Sequence, residues 1–265
     1  MKLIEWLKLP ETRDVKNLDD PAITILHGEI LRKKVFLKKL YTDFYRQFGQ
    51  LVPEQNSKLL VELGSGGGFI KDVIPNVVTS DVLKVGGIDK VFSATDMPFE
   101  DSSVDAFFMF DVLHHIPEPR RFFSEADRCL KPGGEIIMIE PANTAWARFV
   151  YRNFHHEQFD PRGEWRLGEG GPLSQGNGAM PWIIFVRDRK IFEREYPRLK
   201  IVLLYNHTPV SYLLSGGFTL RQVVPGFIYP LVRAMEYLLT PARNYLGMFM
   251  TVVLEKTDGG VATAK

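Results

Sequence analysis

Apolar and polar positions change their period along the chain, and the changes mark its elements. Between about 22 and 49, Leu37, Leu40, Tyr41, Phe44, Tyr45 and Phe48 recur at three- and four-residue spacing. That spacing predicts a helix with one apolar stripe. Arg32, Lys33, Lys34, Lys38, Lys39 and Arg46 fall mostly elsewhere on it, as a solvated basic face would. At 59–63 the pattern becomes a continuous apolar run, Leu59-Leu60-Val61-Glu62-Leu63, that ends in glycines. This is the mark of a buried strand. A short helix is expected over 70–74, with further strands at 77–81, 90–95 and 104–110. From 119 to 130, Phe122, Phe123, Ala126 and Leu130 share one helical face, and Lys131-Pro132-Gly133-Gly134 stops that helix before a fifth strand at 135–140.

Strands that alternate with helices through short loops predict a parallel sheet covered on both faces. Beyond 141 the rhythm loosens. Residues 142–199 are too long for one connecting helix and contain the loop DPRGEWRLGEGGPLSQGNGAMP, followed by a helix expected at 182–195. A sixth strand is expected at 200–205, a helix near 227–240 and a seventh strand at 250–255. The end from 257 is polar and expected to fray. The chain therefore divides into an N-terminal helical extension (1–57), a core (58–141), an insertion (142–199), a C-terminal part completing the sheet (200–257) and a tail (258–265).

Composition narrows the class. The 265 residues are 45% hydrophobic and 25% charged, which fits a globular fold and excludes a disordered one. Lys plus Arg is 33 and Asp plus Glu is 32, so the basic excess of a nucleic-acid binder is missing. The single cysteine, Cys129, excludes an internal disulfide and a multi-cysteine zinc site. The N-terminus lacks the apolar core of a signal peptide, and charges interrupt every apolar stretch before it reaches the length of a span. A soluble cytoplasmic protein is expected, with membrane contact at most peripheral.

The most informative stretch is Val61-Glu62-Leu63-Gly64-Ser65-Gly66-Gly67-Gly68-Phe69, between a strand and a helix. Glycines there allow a sharp turn and close approach of a ligand to the main chain. A nicotinamide-binding G-x-G-x-x-G would need glycine at 69 or 71, where Phe69 and Lys71 stand, and no P-loop Gly-Lys-Ser/Thr is present. What fits is acid-x-G-x-G-x-G: Glu62, Gly64, Gly66 and Gly68. Asp81 then ends the second strand, Ala94-Thr95-Asp96-Met97-Pro98-Phe99 follows the third, Phe110-Asp111-Val112-Leu113-His114-His115 ends the fourth, and Leu130-Lys131-Pro132-Gly133-Gly134 precedes the fifth.

Over about 58–141 this order resembles the class I S-adenosylmethionine-dependent methyltransferases, in their type 11 branch. The resemblance implies a Rossmann-like α/β fold: a seven-stranded, mostly parallel sheet with helices on both faces. It implies S-adenosyl-L-methionine as cofactor, and Glu62, Gly64, Ser65, Gly66, Gly68, Asp81, Thr95, Asp96, Met97, Asp111 and Leu113 as its binding residues. Asp81, at a strand end, suits the ribose hydroxyls. Asp96 suits the adenine amino group, with Met97 and Leu113 as apolar walls, and Glu62 faces the ammonium. The chain departs from the family between Asp81 and Asp96, where only fourteen residues stand and the usual helix is shortened or lost.

Methyl transfer from a sulfonium needs alignment more than activation, so no metal is expected. His114 and His115 are the candidate general bases, with Glu140 as a second choice. His155-His156-Glu157 offers a metal only weakly, because adjacent histidines on a helix or strand point to different sides. The glycine-hinged segment 155–181, with Glu164, Trp165, Arg166, Ser174, Gln175, Asn177 and Trp182 in or beside it, is expected to form a lid over the acceptor; the 22–49 helix is the competing cover. The later stretches Asn177-Gly178-Ala179-Met180-Pro181-Trp182, Arg187-Asp188-Arg189 and Tyr212-Leu213-Leu214-Ser215-Gly216-Gly217 resemble, less specifically, methyltransferases among bacterial cell-surface polysaccharide enzymes. The expected reaction is methylation of a small-molecule acceptor, above all O-methylation of a sugar or lipid-linked metabolite. The apolar face of Ile228, Leu231, Val232, Met235 and Leu239 is expected to pack on the sheet, with lipid contact as the other reading. Alternatives are a nicotinamide-dependent oxidoreductase, a non-catalytic cofactor-binding scaffold, and a protein or RNA methyltransferase.

Overall fold

A computed structural model describes residues 6–13, 17–154 and 157–258. The expectations for His155, His156 and the tail from 259 fall outside these residues. Seven strands form one sheet: β1 Leu60–Leu63, β2 Val78–Asp81, β3 Lys90–Val91, β4 Val104–Phe110, β5 Leu130–Pro141, β6 Leu199–His207 and β7 Phe249–Lys256. Their order is β3-β2-β1-β4-β5-β7-β6. The first five pair in parallel, and β7 runs antiparallel to both β5 and β6. Strand order reverses between β1 and β4, and ligands of open α/β sheets bind at the carboxyl end of such a switch point. The antiparallel β7, placed between β5 and β6, distinguishes this sheet from the 3-2-1-4-5-6 order of dinucleotide-binding folds.

The helices are α1 Pro21–Lys33, α2 Val35–Leu51, α3 Pro119–Cys129, α4 Ala145–Phe154, α5 Arg189–Glu195, α6 Ser211–Ser215 and α7 Tyr229–Leu238, with shorter turns between. The apolar stripe on α2 is buried as its spacing predicts. Phe48 stacks on Phe108 of β4 at 5.1 Å, and Tyr41 meets Phe110 edge-on at 4.7 Å. A buried aromatic of this kind contributes roughly 1.5–3 kcal/mol, so the N-terminal helices belong to the core.

Three elements differ from expectation. The 22–49 helix is broken at Lys34, whose backbone is extended. The Lys34 ammonium, instead of lying on a solvated face, donates to the carbonyls of Gly217 at 2.6 Å and Leu220 at 2.7 Å. The third strand has only two residues rather than the six expected, while the connection from β2 is a turn without a helix, as its shortness implied. Asp89 closes that turn, accepting from the Thr79 amide at 2.8 Å and hydroxyl at 2.9 Å. Finally, α7 lies on the molecule by a narrow edge. Val232 and Tyr229 are buried, but Leu231 is 70% exposed and Met235 41%. No helix among the described residues is long and apolar enough to cross a membrane.

Candidate functional site

The β1 strand delivers Glu62 into the interior and then turns at once. Gly64 (φ +67°) and Gly66 (φ +50°) occupy the left-handed region that favours glycine. The loop is braced from both sides. Asp81 of β2 accepts from the Gly66 amide at 2.9 Å and from the Leu83 amide at 2.8 Å. From above, α1 sits directly on it: a Cβ on Gly28 would fall 2.8 Å from the Gly67 carbonyl oxygen and 2.9 Å from its Cα. The Arg32 guanidinium clamps this contact, donating to the carbonyls of Gly67 at 2.9 Å and Gly68 at 3.0 Å.

Between loop, α1, α2 and the 212–220 segment lies a cavity of about 230 Å³. Glu62, Gly64, Ser65, Gly66, Gly68, Asp111 and His115 reach it, among mostly apolar and aromatic neighbours such as Tyr41, Phe110, Tyr151, Leu213 and Phe218. Two buried oxygens that border it, Glu62 Oε2 and Thr24 Oγ1, have no hydrogen-bond partner. Unpartnered buried polar atoms are costly, and here both face one space. Burial pushes the Glu62 carboxyl up to about 7, with the nearby Asp81 charge adding to the shift.

The opposite wall is built at the end of β4. Asp111 has φ +61°, strained for a residue with a side chain. Glu140, at the end of β5, holds the next two residues: its Oε1 accepts from the Val112 amide at 2.8 Å and the Leu113 amide at 2.7 Å, and its Oε2 lies 2.8 Å from His114 Nδ1. His114 Nε2 is in turn 3.2 Å from Glu157 Oε2. Burial works against charge on His114, but the bonds to Glu140 and Glu157 outweigh it and hold its pKa well above the usual range. Burial, Glu157 and Glu140 together push Asp111 up to about 7, against the pull of His114.

These contacts correct the sequence-based assignment of bases. His114 is fully buried, its Nδ1 beside Glu140 and its Nε2 beside Glu157, and it does not border the cavity where a substrate would lie. Glu140 is fully buried with its oxygens engaged. His115 does border the cavity. Its Nδ1–H donates to the Gln175 carbonyl at 2.9 Å, which leaves Nε2 directed toward Glu157. Burial, reinforced by His114, lowers its pKa.

The expected adenine side lies outside the cavity. Asp96 is exposed, and Thr95 bonds locally to Ser93. Met97 is buried, with its backbone tied to Glu125 and Arg128. Leu113 is fully buried in the core and forms no ligand wall here. The 157–181 segment is packed rather than free. Trp165 is buried and donates to Asp188 at 2.9 Å; Asn177 braces the turn at Asp160 from both its amide atoms. Neither offers a sugar-binding face. Only Leu173 of this segment and Glu157 reach the cavity, while α1, α2 and 212–220 supply most of its cover. Thr24, His27 and Phe218 escaped the sequence reading, and Tyr212 entered it only through a resemblance and not as a wall of the site. Gly28 in mid-helix was the available signal, since such a glycine marks close backbone approach.

Residues 61–138 match the family model described as a methyltransferase domain. Over those residues the chain is similar to methyltransferase domains; the remainder of the chain lies outside the match. A demethylmenaquinone methyltransferase of Clavibacter sepedonicus is 41% identical over 61 residues, 22% of this chain and 25% of that protein. A ubiquinone/menaquinone biosynthesis C-methyltransferase of Brucella anthropi is 42% identical over 48 residues, 18% of each chain. The matches thus span a quarter or less of these relatives. A geranyl diphosphate methyltransferase solved with S-adenosylmethionine superposes with a TM-score of 0.50 at 14% identity, covering 87% of this chain and 90% of its own. At that identity the likeness concerns the fold alone.

Proposed function

We propose that the chain transfers a methyl group from S-adenosylmethionine to a small-molecule acceptor with an apolar body. The observation that carries this reading is the pair of unpartnered buried oxygens, Glu62 Oε2 and Thr24 Oγ1, facing the same cavity as the glycine loop. The Glu62 carboxylate receives the cofactor's ammonium. Gly64 to Gly68 pass beneath its amino-acid part, and the ribose and adenine extend over Asp81 and Asp96. A cavity of about 230 Å³ is smaller than the ~300–1,000 Å³ of usual ligand pockets, in keeping with an adenosine end lying outside it.

Within this reading residues 58–141 hold the cofactor, 1–57 cap it, 142–199 close the acceptor side and 200–257 complete the sheet and cover. Phe110, Tyr151, Leu213 and Phe218 suit a prenyl, ring or lipid-linked acceptor better than a free sugar. The names of the quinone-pathway relatives point the same way. The walls align the acceptor with the donor carbon and exclude water, which in the best cases supplies about 7–11 kcal/mol. A hydroxyl acceptor would lose its proton at the His115–Glu157 corner. Calorimetry with S-adenosylhomocysteine tests the assignment. Gly66→Val puts a branched residue at φ +50° under the ligand, and should lower affinity well over tenfold while the fold persists. Equal affinity in wild type and variant would refute the site.

A further inference from the structure

The corner formed by His114, His115 and Glu157 carries more than a proton relay needs. Both histidines stand on the turn Leu113–His115, where the short helical geometry brings their rings together at 4.2 Å between centroids. Each ring has its Nδ1 committed to a fixed partner: Glu140 Oε2 at 2.8 Å for His114, and the Gln175 carbonyl at 2.9 Å for His115. Each Nε2 therefore points the same way, toward one carboxylate. His114 Nε2 lies 3.2 Å from Glu157 Oε2, and His115 Nε2 lies 3.7 Å from Glu157 Oε1. The ligand-type atoms of the three residues all lie within 4.8 Å of one another.

We propose that His114 Nε2, His115 Nε2 and the Glu157 carboxylate form a divalent-cation site of the zinc type in the wall of the cavity. Metal bonds of about 2.0–2.2 Å put neighbouring ligands roughly 3–3.5 Å apart, close to the spacing found. Histidines that bind metal almost always hand their other nitrogen to a carboxylate or backbone carbonyl, and here one does each. Glu140 is itself fixed by the Val112 and Leu113 amides, so the support extends one layer further. The corner also gathers negative charge: Asp111, Glu140 and Glu157 crowd around the two imidazoles. The set of Asp111, His114 and Glu140 is a poorer cage, because the Glu140 oxygens already serve two amides and a ring.

Three protein ligands leave a coordination position open, and both His115 and Glu157 border the cavity. A hydroxyl of the acceptor fits that position. On coordination its proton passes to solvent, its oxygen forms the new O–C bond, and the C–S bond breaks with its electron pair returning to sulfur. This role rests on the methyl-transfer reading, whereas cation binding does not.

The test is metal binding by the whole chain, without cofactor or acceptor. Chelator-treated protein is titrated with Zn²⁺ against a chromophoric chelator, and with Co²⁺ while visible absorption is recorded. One equivalent should bind with intense Co²⁺ bands, and H115A and E157Q should each weaken it at least 100-fold. H114A would also disturb the buried bond to Glu140, so H115A and E157Q carry the test. The double variant H155A/H156A is the control for the neighbouring histidines and should bind like wild type. No stoichiometric binding, unchanged binding in both H115A and E157Q, or binding lost only in H155A/H156A would each overturn the proposal. S-adenosylhomocysteine affinity, measured on the same metal-free samples, reports separately on the cofactor site.

Discussion

Glu62 is a buried acid that the fold leaves partly unsatisfied. It ends up fully inside the fold with one oxygen bare. Its carboxyl is raised from 4.5 to about 7, so the folded state holds its proton more tightly than the unfolded chain. The sign follows: stability is fully present below pH 4.5 and declines as pH rises toward and through 7. Glu62→Gln removes this dependence. Unfolding measured by denaturant from pH 4.5 to 8 should show the variant gaining on wild type by about 1–3 kcal/mol over that range. A parallel pair of curves would mean that Glu62 stays ionised throughout. With ligand the slope reverses, because the ammonium of S-adenosylhomocysteine favours the carboxylate; wild-type affinity should rise from pH 6 to 8, and that of the variant should stay nearly flat. Asp81 gives a second residue-scale expectation. It braces the Gly66 amide and, in the proposed reading, also receives the ribose, so Asp81→Ala would remove both interactions. An affinity loss of roughly 5- to 150-fold corresponds to about 1–3 kcal/mol of unpaired donors; a loss below twofold would place the ribose elsewhere. Both acids were visible in the sequence through their spacing from the glycines. Glu157 was singled out only beside His155 and His156; its place next to His114 was not legible, because nothing local ties it to a turn more than forty positions earlier.

At the scale of elements, periodicity showed what packs but not where it ends. The α2 stripe was legible because every third or fourth residue goes to one side. The break at Lys34 was not, since the carbonyls that fix it come from Gly217 and Leu220, far along the chain. The basic face of the first helix misled for the same reason at Arg32, which clamps the glycine loop. The seat of α1 on that loop depends on two glycines meeting, Gly28 against Gly67. Gly28→Val sets a side chain against backbone that cannot give way, at a cost of roughly 1–3 kcal/mol. We expect α1 to lift: amide exchange across 22–33 should quicken, and S-adenosylhomocysteine should bind at least tenfold more weakly. Normal exchange and affinity would show that the loop tolerates the helix at a distance. The glycine-rich 157–181 segment was read as a lid from its composition, yet Trp165, Asn177 and Asp188 pin much of it down. Its stretch around 168–174, held through the amides of Leu173 and Ser174 to Asp19, just ahead of α1, is the part with a surface to lose. Ligand-dependent protection should therefore appear at 22–33, 168–174 and 212–220, and little at 159–167; equal protection across all of 157–181 would restore the lid.

Across the whole molecule, the parallel part of the sheet follows from the alternation of strands and helices, and the glycine loop stands at the carboxyl end of β1, where ligands of such sheets bind. The cover could not be read this way. It is assembled from α1, α2 and 212–220, which flank the core in sequence and meet only in the fold. The same architecture separates the two cofactor classes that share its general form. A nicotinamide dinucleotide needs its pyrophosphate on a helix N-terminus after the loop; here the loop runs into a single short turn, Ile70–Asp72, with Phe69 before it. A ligand that binds only the native state raises its stability by RT ln(1 + [L]/Kd), about 2.7 kcal/mol at a hundredfold excess over Kd. For a chain somewhat above 250 residues each kcal/mol is worth roughly 2–4 °C in Tm. S-adenosylhomocysteine at saturating concentration should therefore raise the melting temperature by about 4–10 °C, and NAD at the same concentration should leave it within the scatter of the buffer control. A shift with NAD alone would return the chain to the oxidoreductases. A shift with S-adenosylhomocysteine that persists in Gly66→Val would mean the nucleoside binds away from the glycine loop, and the cavity beneath α1 would then belong to the acceptor alone.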